Sequence, residues 1–229
     1  MFQRQKIQSL PMRRHANKPV SYLSQDEIAV LLSKIKTKNN MGVRDLALIT
    51  LLYDSGARVQ EIVNLSVRDI RIEQPSQVTL LGKGKKIRTV PLISYTVKIL
   101  KSYMDQFGLT EPEQVDRPLF CNRNGARITR FGIAYLLEKY AIEAKLKMSS
   151  IPDKVSPHLL RHSKAMHLLE EECSEFAIRD LLGHVDLKTT SIYVKANQEM
   201  IRNSIPQKDV RKMMRKMAKA YDSGNNEVN

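Results

Sequence analysis

Apolar positions recur along most of the chain at the spacing of amphipathic helices. The clearest start lies at Ser24 and Glu27, which have the spacing of a helix capping box. Beyond it, apolar residues return every three to four positions in one segment after another. The pattern predicts helices over residues 25–36, 44–53, 58–65, 95–107, 130–147, 156–171, 174–182, 189–196 and 207–221.

One segment departs from helical spacing. Two β-prone runs at 78–81 and 87–92 flank the turn sequence Gly82-Lys83-Gly84-Lys85-Lys86. Such a pair of runs around a glycine-containing turn predicts a β-hairpin. Residues 119–121 are a candidate for one further short strand. The expected fold class is therefore mostly α with a small antiparallel β-sheet (α+β).

The domain organisation follows from charge and periodicity. Residues 1–20 contain basic but no acidic residues, which predicts a basic arm. Residues 21–200 contain neither an internal repeat nor an obvious linker, so we expect one domain there. Residues 201–229 form a tail with a Met-rich amphipathic helix. The apolar stripe of that helix fits packing against its own domain and docking on a neighbouring molecule equally well.

The net charge of the chain indicates which class of binding partner to expect. The chain has 38 Lys and Arg against 24 Asp and Glu, a formal net charge of +14. Such an excess favours a polyanionic partner, and nucleic acid is a better candidate than an anionic membrane surface. No run reaches the roughly 18 apolar residues of a membrane span, so we expect a cytoplasmic protein. The two cysteines, Cys121 and Cys173, lack metal-ligand spacing and are expected to be unpaired thiols.

A candidate anion site lies at the start of one predicted helix. Ser156 suits the N-cap and Pro157 the first helical position, so His158 falls in the first turn. Free N–H groups and the helix dipole favour an anion at such a turn. Arg161 follows three residues later, on the same face as His158. We interpret the anion as a DNA phosphate.

Metal-free cleavage of a phosphodiester needs cations for the non-bridging oxygens, a nucleophile, and an acid for the leaving 5′-oxygen. The chain offers suitable residue types in an ordered set of motifs: Ser55-Gly56-Ala57-Arg58-Val59-Gln60-Glu61, Gly82-Lys83-Gly84, His158-Leu159-Leu160-Arg161, Leu182-Gly183-His184, and Tyr193. In the order and spacing of these motifs, residues 22–196 closely resemble the catalytic domain of the tyrosine recombinases, also called the phage integrase family. The resemblance implies the fold of that domain.

The resemblance also implies how the phosphate is bound and protonated. Arg58 and Arg161 would clamp the scissile phosphate, since a guanidinium binds phosphate through two N–H groups and keeps its charge. Lys83 would act as the general acid toward the 5′-oxygen, and His158 would assist proton transfer.

The remaining roles follow from the same resemblance. Tyr193 would attack the phosphorus and form a 3′-phosphotyrosyl link, and His184 would support the phosphoryl oxygens or the nucleophile. Glu61, one helical turn beyond Arg58, would orient that arginine. Further candidates for DNA contact lie after Lys83, namely Lys85, Lys86 and Arg88.

As implied by the resemblance, the protein would be a site-specific recombinase or integrase acting on double-stranded DNA. It would work as a homo-tetramer, with accessory DNA-bending proteins as possible partners, in the bacterial cytoplasm at the nucleoid. Neither a cofactor nor a metal is expected. Two departures from the family pattern are Ser55, where threonine is common, and a basic stretch of 20 residues where members usually carry an N-terminal helical domain.

Three alternatives remain at this stage. A type IB topoisomerase shares the chemistry but relaxes DNA without exchanging partners. A family member without activity would bind DNA as a regulator. A metal-dependent nuclease is disfavoured, because the histidines lack paired carboxylates at ligand spacing. His162 and His167 are expected to be structural.

Overall fold

The computed structural model describes residues 22–183. Within this range the helices are α1 (Gln25–Ser33), α2 (Asn40–Asp54), α3 (Val59–Asn64), α4 (Ser94–Gln106), α5 (Arg130–Lys145), α6 (Pro157–Glu170) and α7 (Glu175–Leu182). The strands are β1 (Ile70–Arg71), β2 (Gln77–Leu81) and β3 (Ile87–Pro91). The predicted fold class, mostly α with a small antiparallel sheet, is confirmed.

Helix α2 forms the centre of the core and packs against α1, α3, α4 and α6. Its apolar residues point in most directions, and Leu48, Ile49, Leu51 and Leu52 are fully buried. The helix begins earlier than predicted, because the Asn39 side chain accepts a hydrogen bond from the backbone N–H of Gly42 and acts as the N-cap. Within residues 22–183 no helix is both long and apolar enough to cross a membrane.

The sheet contains the predicted hairpin and one additional strand. Strands β2 and β3 pair antiparallel, with Leu81 opposite Ile87 at the turn, and β1 pairs with the other edge of β2. The strand expected at 119–121 is not formed; Cys121 makes an isolated bridge with Arg127 instead. Helix α1 stops short of its predicted end because the next two N–H groups bond three residues back, which tightens the turn.

Helix α6 contains the His158–Arg161 motif, and helix α7 ends at the Leu182-Gly183-His184 motif. The side chain of Ser156 caps α6 as the sequence predicts, and the side chain of Ser174 caps α7. A small apolar cluster joins the two helices, and α7 also contacts β3. Gly183 ends α7 in the left-handed conformation, with φ of 64°. The helices predicted at 189–196 and 207–221 lie outside the described residues.

Candidate active site

Two arginines from separate parts of the chain meet at one carboxylate, and a third arginine joins them at the end of α7. Arg58 is the N-cap of α3, Glu61 lies in the first turn of the same helix, Arg88 is on β3 and Arg161 is on α6. The Glu61 Oε1 atom accepts from Nη1 of Arg58 at 3.0 Å and from Nη1 of Arg88 at 2.8 Å. Its Oε2 atom accepts from the backbone N–H of Arg58 and from Nη2 of Arg88, both at 2.7 Å.

These contacts determine the charge state of Glu61. Burial alone would raise the pKa of this carboxyl, which is 4% exposed. The hydrogen bonds from Arg88 and Arg58, together with the positive charge of Arg88, outweigh burial and hold its pKa below the ordinary value. Glu61 is therefore ionised at neutral pH and orients Arg58 through both its side chain and its backbone.

The three arginines also bind the last two carbonyls of α7 and the carbonyl of its cap residue, Gly183. Arg88 Nε donates to the Leu181 carbonyl at 2.9 Å, Arg161 Nη2 to Leu182 at 2.6 Å, and Arg58 Nη2 to Gly183 at 3.1 Å. The final carbonyls of a helix have no partner within the helix and form the negative end of its dipole. Three cations at that end fix the position from which the chain continues toward His184.

Arg161 is the most enclosed of the three. It is 5% exposed, and its Nη1 donates to the Gly56 carbonyl at 2.6 Å. Gly56 has φ of 56°, and a Cβ atom there would lie 2.7 Å from Leu182 Cδ2. A glycine is therefore required where the α2–α3 turn, α6 and the end of α7 come together.

The other predicted clamp residue faces solvent. The side chain of Arg58 is 41% exposed, and Arg58 and Arg88 together outweigh the single negative charge of Glu61. His158 is exposed in the first turn of α6, whereas Arg161 on the same helix is buried. Arg58 and His158 are thus accessible to an anion from solvent, whereas Arg161 is enclosed.

The hairpin turn brings the predicted lysines to the edge of this cluster. Lys83–Lys85 form a short 3-10 turn, closed by a hydrogen bond from Gly82 N–H to the Lys86 carbonyl at 2.8 Å. Lys85 and Lys86 are exposed, as a DNA contact requires. The side chain of Lys83 lies outside the description, as do His184 and Tyr193.

Arg88 differs from the lysines with which it was grouped. Its side chain is 12% exposed, and all three of its nitrogens donate to protein oxygens of Glu61 and Leu181. From the sequence we expected Arg88 to contact DNA. Its hydrogen bonds to other parts of the protein were not predicted. The alternation of side chains between the two faces of β3 could have indicated this, because Arg88 lies on the same face as the buried Val90.

Two further histidines of α6 are buried. His162 is 5% exposed, and burial, with a contribution from the charge of His158, lowers its pKa to about 4. His167 Nδ1 lies 2.7 Å from the Tyr53 hydroxyl, and its ring makes edge contacts with Tyr22 and Tyr53. Both residues thus contribute to packing.

We expect His162 to make the fold sensitive to acid. Its folded-state pKa lies below the ordinary value of 6.5, so the unfolded chain takes up a proton first as the pH falls. The stability that the uncharged His162 ring contributes is fully present above pH 6.5 and is lost as the pH falls toward 4. His162→Gln is expected to reduce this loss by an amount on the order of 2 kcal/mol, measured by urea unfolding between pH 7 and 4.

The exposed His158 offers a matched control on the same helix. His158→Gln should keep most of the acid sensitivity, because the main cause is burial of the His162 ring. Equal loss of stability in wild type and His162→Gln would contradict the prediction.

Among residues 22–183, no group of three or more His, Cys, Asp or Glu side chains is placed to hold a metal ion.

The sequence matches one protein family over most of its length. The model of the phage integrase family matches residues 21–200. Tyrosine recombinase XerD of Staphylococcus epidermidis is 33% identical over 195 residues, which are 85% of this chain and 64% of that protein. The chain thus spans less than two thirds of the length of this relative.

Solved structures show the same fold. The crystal structure of XerA recombinase matches with a TM-score of 0.67 and 27% identity, over 86% of this chain and 68% of the other. XerH site-specific recombinase, bound to a palindromic difH substrate in a post-cleavage complex, matches with a TM-score of 0.69 and 25% identity, over 84% and 54%. The fold expected from the resemblance, that of a tyrosine recombinase catalytic domain, is thereby confirmed.

Proposed function

The chain belongs to the phage integrase family, and we propose on this basis that it breaks and rejoins DNA strands at specific sites. The observation that carries the proposal is the meeting of Arg58 and Arg161 at the end of α7, directly before His184. Two fixed guanidiniums provide the charge that a phosphodiester needs as it gains a fifth oxygen. The XerH protein, a site-specific recombinase in a post-cleavage complex, supports the same reaction class.

In the proposed mechanism, Arg58 and Arg161 bind the non-bridging oxygens of the scissile phosphate. Arg58, oriented by Glu61, reaches the phosphate from the exposed side, and Arg161 does so from the buried side. Because neither guanidinium loses its proton, the site keeps its charge at all working pH values.

The chemical step exchanges one ester for another. The Tyr193 oxygen attacks phosphorus and the bond to the 5′-oxygen breaks, which gives a 3′-phosphotyrosyl link. Lys83 donates a proton to the departing 5′-oxygen, and His158 assists proton transfer by accepting the proton of the Tyr193 hydroxyl. His184 supports the phosphoryl oxygens or the nucleophile. A 5′-hydroxyl of another strand then reverses the step, and the energy of the bond is kept, so that joining needs neither ATP nor metal.

Binding would use double-stranded DNA as the partner. The net charge of +14 and the exposed Lys85 and Lys86 support attraction to the phosphate backbone. We further propose a homo-tetramer on two duplexes, with accessory DNA-bending proteins. Residues 1–20 would follow the DNA backbone, residues 21–200 form the catalytic domain, and residues 201–229 contact either this domain or a neighbouring subunit.

A strand-exchange assay tests this function. Two duplexes of different length that carry the flanks of the protein's own gene are incubated with the chain in the presence of chelator. We expect recombinant products of new length. Relaxation of supercoiled DNA without exchange would indicate a type IB topoisomerase, and salt-sensitive binding without strand breakage would indicate a regulator; either result would overturn the proposal.

A further inference from the structure

We propose that Arg88 is a positioning residue for this reaction. It holds Glu61, and through Glu61 also Arg58, in a fixed position relative to the end of α7. The inference rests on the proposed function and deepens it by adding a residue that would touch neither the phosphate nor the leaving group. It replaces the expectation that Arg88 contacts DNA.

The first support is the pairing of Arg88 with Glu61. The two terminal nitrogens of Arg88 lie 2.8 and 2.7 Å from the two carboxylate oxygens, a bidentate pair in which the side chains are 12% and 4% exposed. The same two oxygens accept from Arg58. Arg88 thus holds the carboxylate that orients Arg58, and it does so from the protected side.

The second support is the contact with α7. Arg88 Nε donates to the Leu181 carbonyl, and the side chain passes directly over Gly183. A Cβ atom at Gly183 would lie 3.0 Å from Nη1 and 3.1 Å from Cδ of Arg88. The absence of a side chain at Gly183 therefore makes room for the guanidinium in addition to permitting the left-handed cap.

These contacts connect parts of the chain that supply different groups to the proposed reaction. Arg88 belongs to β3, which follows the turn that contains Lys83; it binds Glu61 of α3 and the end of α7 before His184. A lysine could not replace it, because one ammonium cannot reach two carboxylate oxygens and a carbonyl in the fixed geometry of a guanidinium.

The test compares Arg88→Met with Arg71→Met in the full chain. Methionine keeps an apolar stem of similar length but removes the charge and the donors. Arg71 is an exposed arginine on β1 of the same sheet and should be silent. We expect Arg88→Met to slow cleavage of a nicked duplex about 10- to 100-fold, with the Kd for DNA changed by less than about twofold and its salt dependence unchanged.

A second measurement does not depend on activity. Among residues 22–183, the charged groups seen to contact Glu61 are Arg58 and Arg88. The loss of Arg88 should therefore raise the pKa of the Glu61 carboxyl in DNA-free protein, as measured by NMR titration. The cleavage rate of Arg88→Met should accordingly fall more steeply at acidic pH than that of wild type. In a Glu61→Gln background, Arg88→Met should slow cleavage less than it does in wild type.

The outcomes separate this inference from the proposed function. A proportional loss of DNA affinity and rate, with a reduced salt slope, would show that Arg88 contacts DNA. An unchanged Glu61 pKa would overturn the pairing. If the wild-type chain cleaves no DNA, the proposed function is wrong, while the titration of Glu61 would still show whether Arg88 pairs with it.

If Arg88→Met fails to fold, Arg88→Lys should fold and show an intermediate cleavage rate. A wild-type rate in that variant would overturn the inference.

Discussion

Arg161→Met is expected to lower both the free energy of unfolding and the rate of strand cleavage, whereas Arg58→Ala is expected to lower the cleavage rate alone. Arg161 is 5% exposed and donates to the carbonyls of Gly56 and Leu182. Its loss leaves two enclosed carbonyls without these donors, at about 1–3 kcal/mol each. We therefore expect a destabilisation of about 2–6 kcal/mol, measured by urea unfolding.

Arg58→Ala should affect the cleavage rate much more than the free energy of unfolding. Its side chain is 41% exposed, and Glu61 keeps its two bonds to Arg88 when Arg58 is shortened. The expected change in stability is at most about 1 kcal/mol. The loss of one preorganised donor to the phosphate should still slow single-turnover cleavage about 10²- to 10³-fold.

An exposed arginine outside the cluster completes the experiment. Arg68 forms an ion pair with Asp116 and is 62% exposed, so Arg68→Ala should change neither stability nor cleavage. The account would be contradicted by an Arg161→Met protein as stable as wild type, or by an Arg58→Ala protein that cleaves DNA at the wild-type rate.

Elements that are determined by local chemistry could be predicted closely from the sequence. Ser24, Thr129, Ser156 and Ser174 each cap the helix that follows them, because the cap depends on a side chain and an N–H group two or three residues away. The same holds for Gly183 at the end of α7. Helix boundaries near such residues were therefore accurate.

Elements that depend on tertiary contacts were less predictable. Strand β1 has two residues, too few for an alternating pattern, and it exists because β2 offers an edge. The strand expected at 119–121 had the composition of a strand, but Leu119 bonds to the Leu65 carbonyl in an irregular segment. Helix α2 was predicted to begin at residue 44 and begins at Asn40, because the polar Asn39 side chain caps it ahead of the apolar pattern.

The candidate site divides in the same way. Arg58 and Glu61 lie on one helical turn, so their pairing could be inferred from spacing, and the structure contains it. The contact of Arg88 with Glu61 joins residues of a strand and a helix, and no local pattern specifies it. The three arginine contacts with the end of α7 likewise arise only when four segments are folded together.

The largest expected effect concerns Tyr193, the proposed nucleophile. Tyr193→Phe removes one hydroxyl and keeps the ring, so DNA binding should be retained. Because the hydroxyl oxygen forms the new bond to phosphorus, strand cleavage should fall below detection rather than merely slow down. Competitive binding to the same duplex provides the control for affinity.

Covalent trapping tests the central claim most directly. The chain is incubated with nicked duplexes from the flanks of its own gene, with chelator present, and the products are separated under denaturing conditions. The account predicts a protein–DNA band for wild type that is absent for Tyr193→Phe at equal DNA binding. A band of equal intensity in Tyr193→Phe would contradict it.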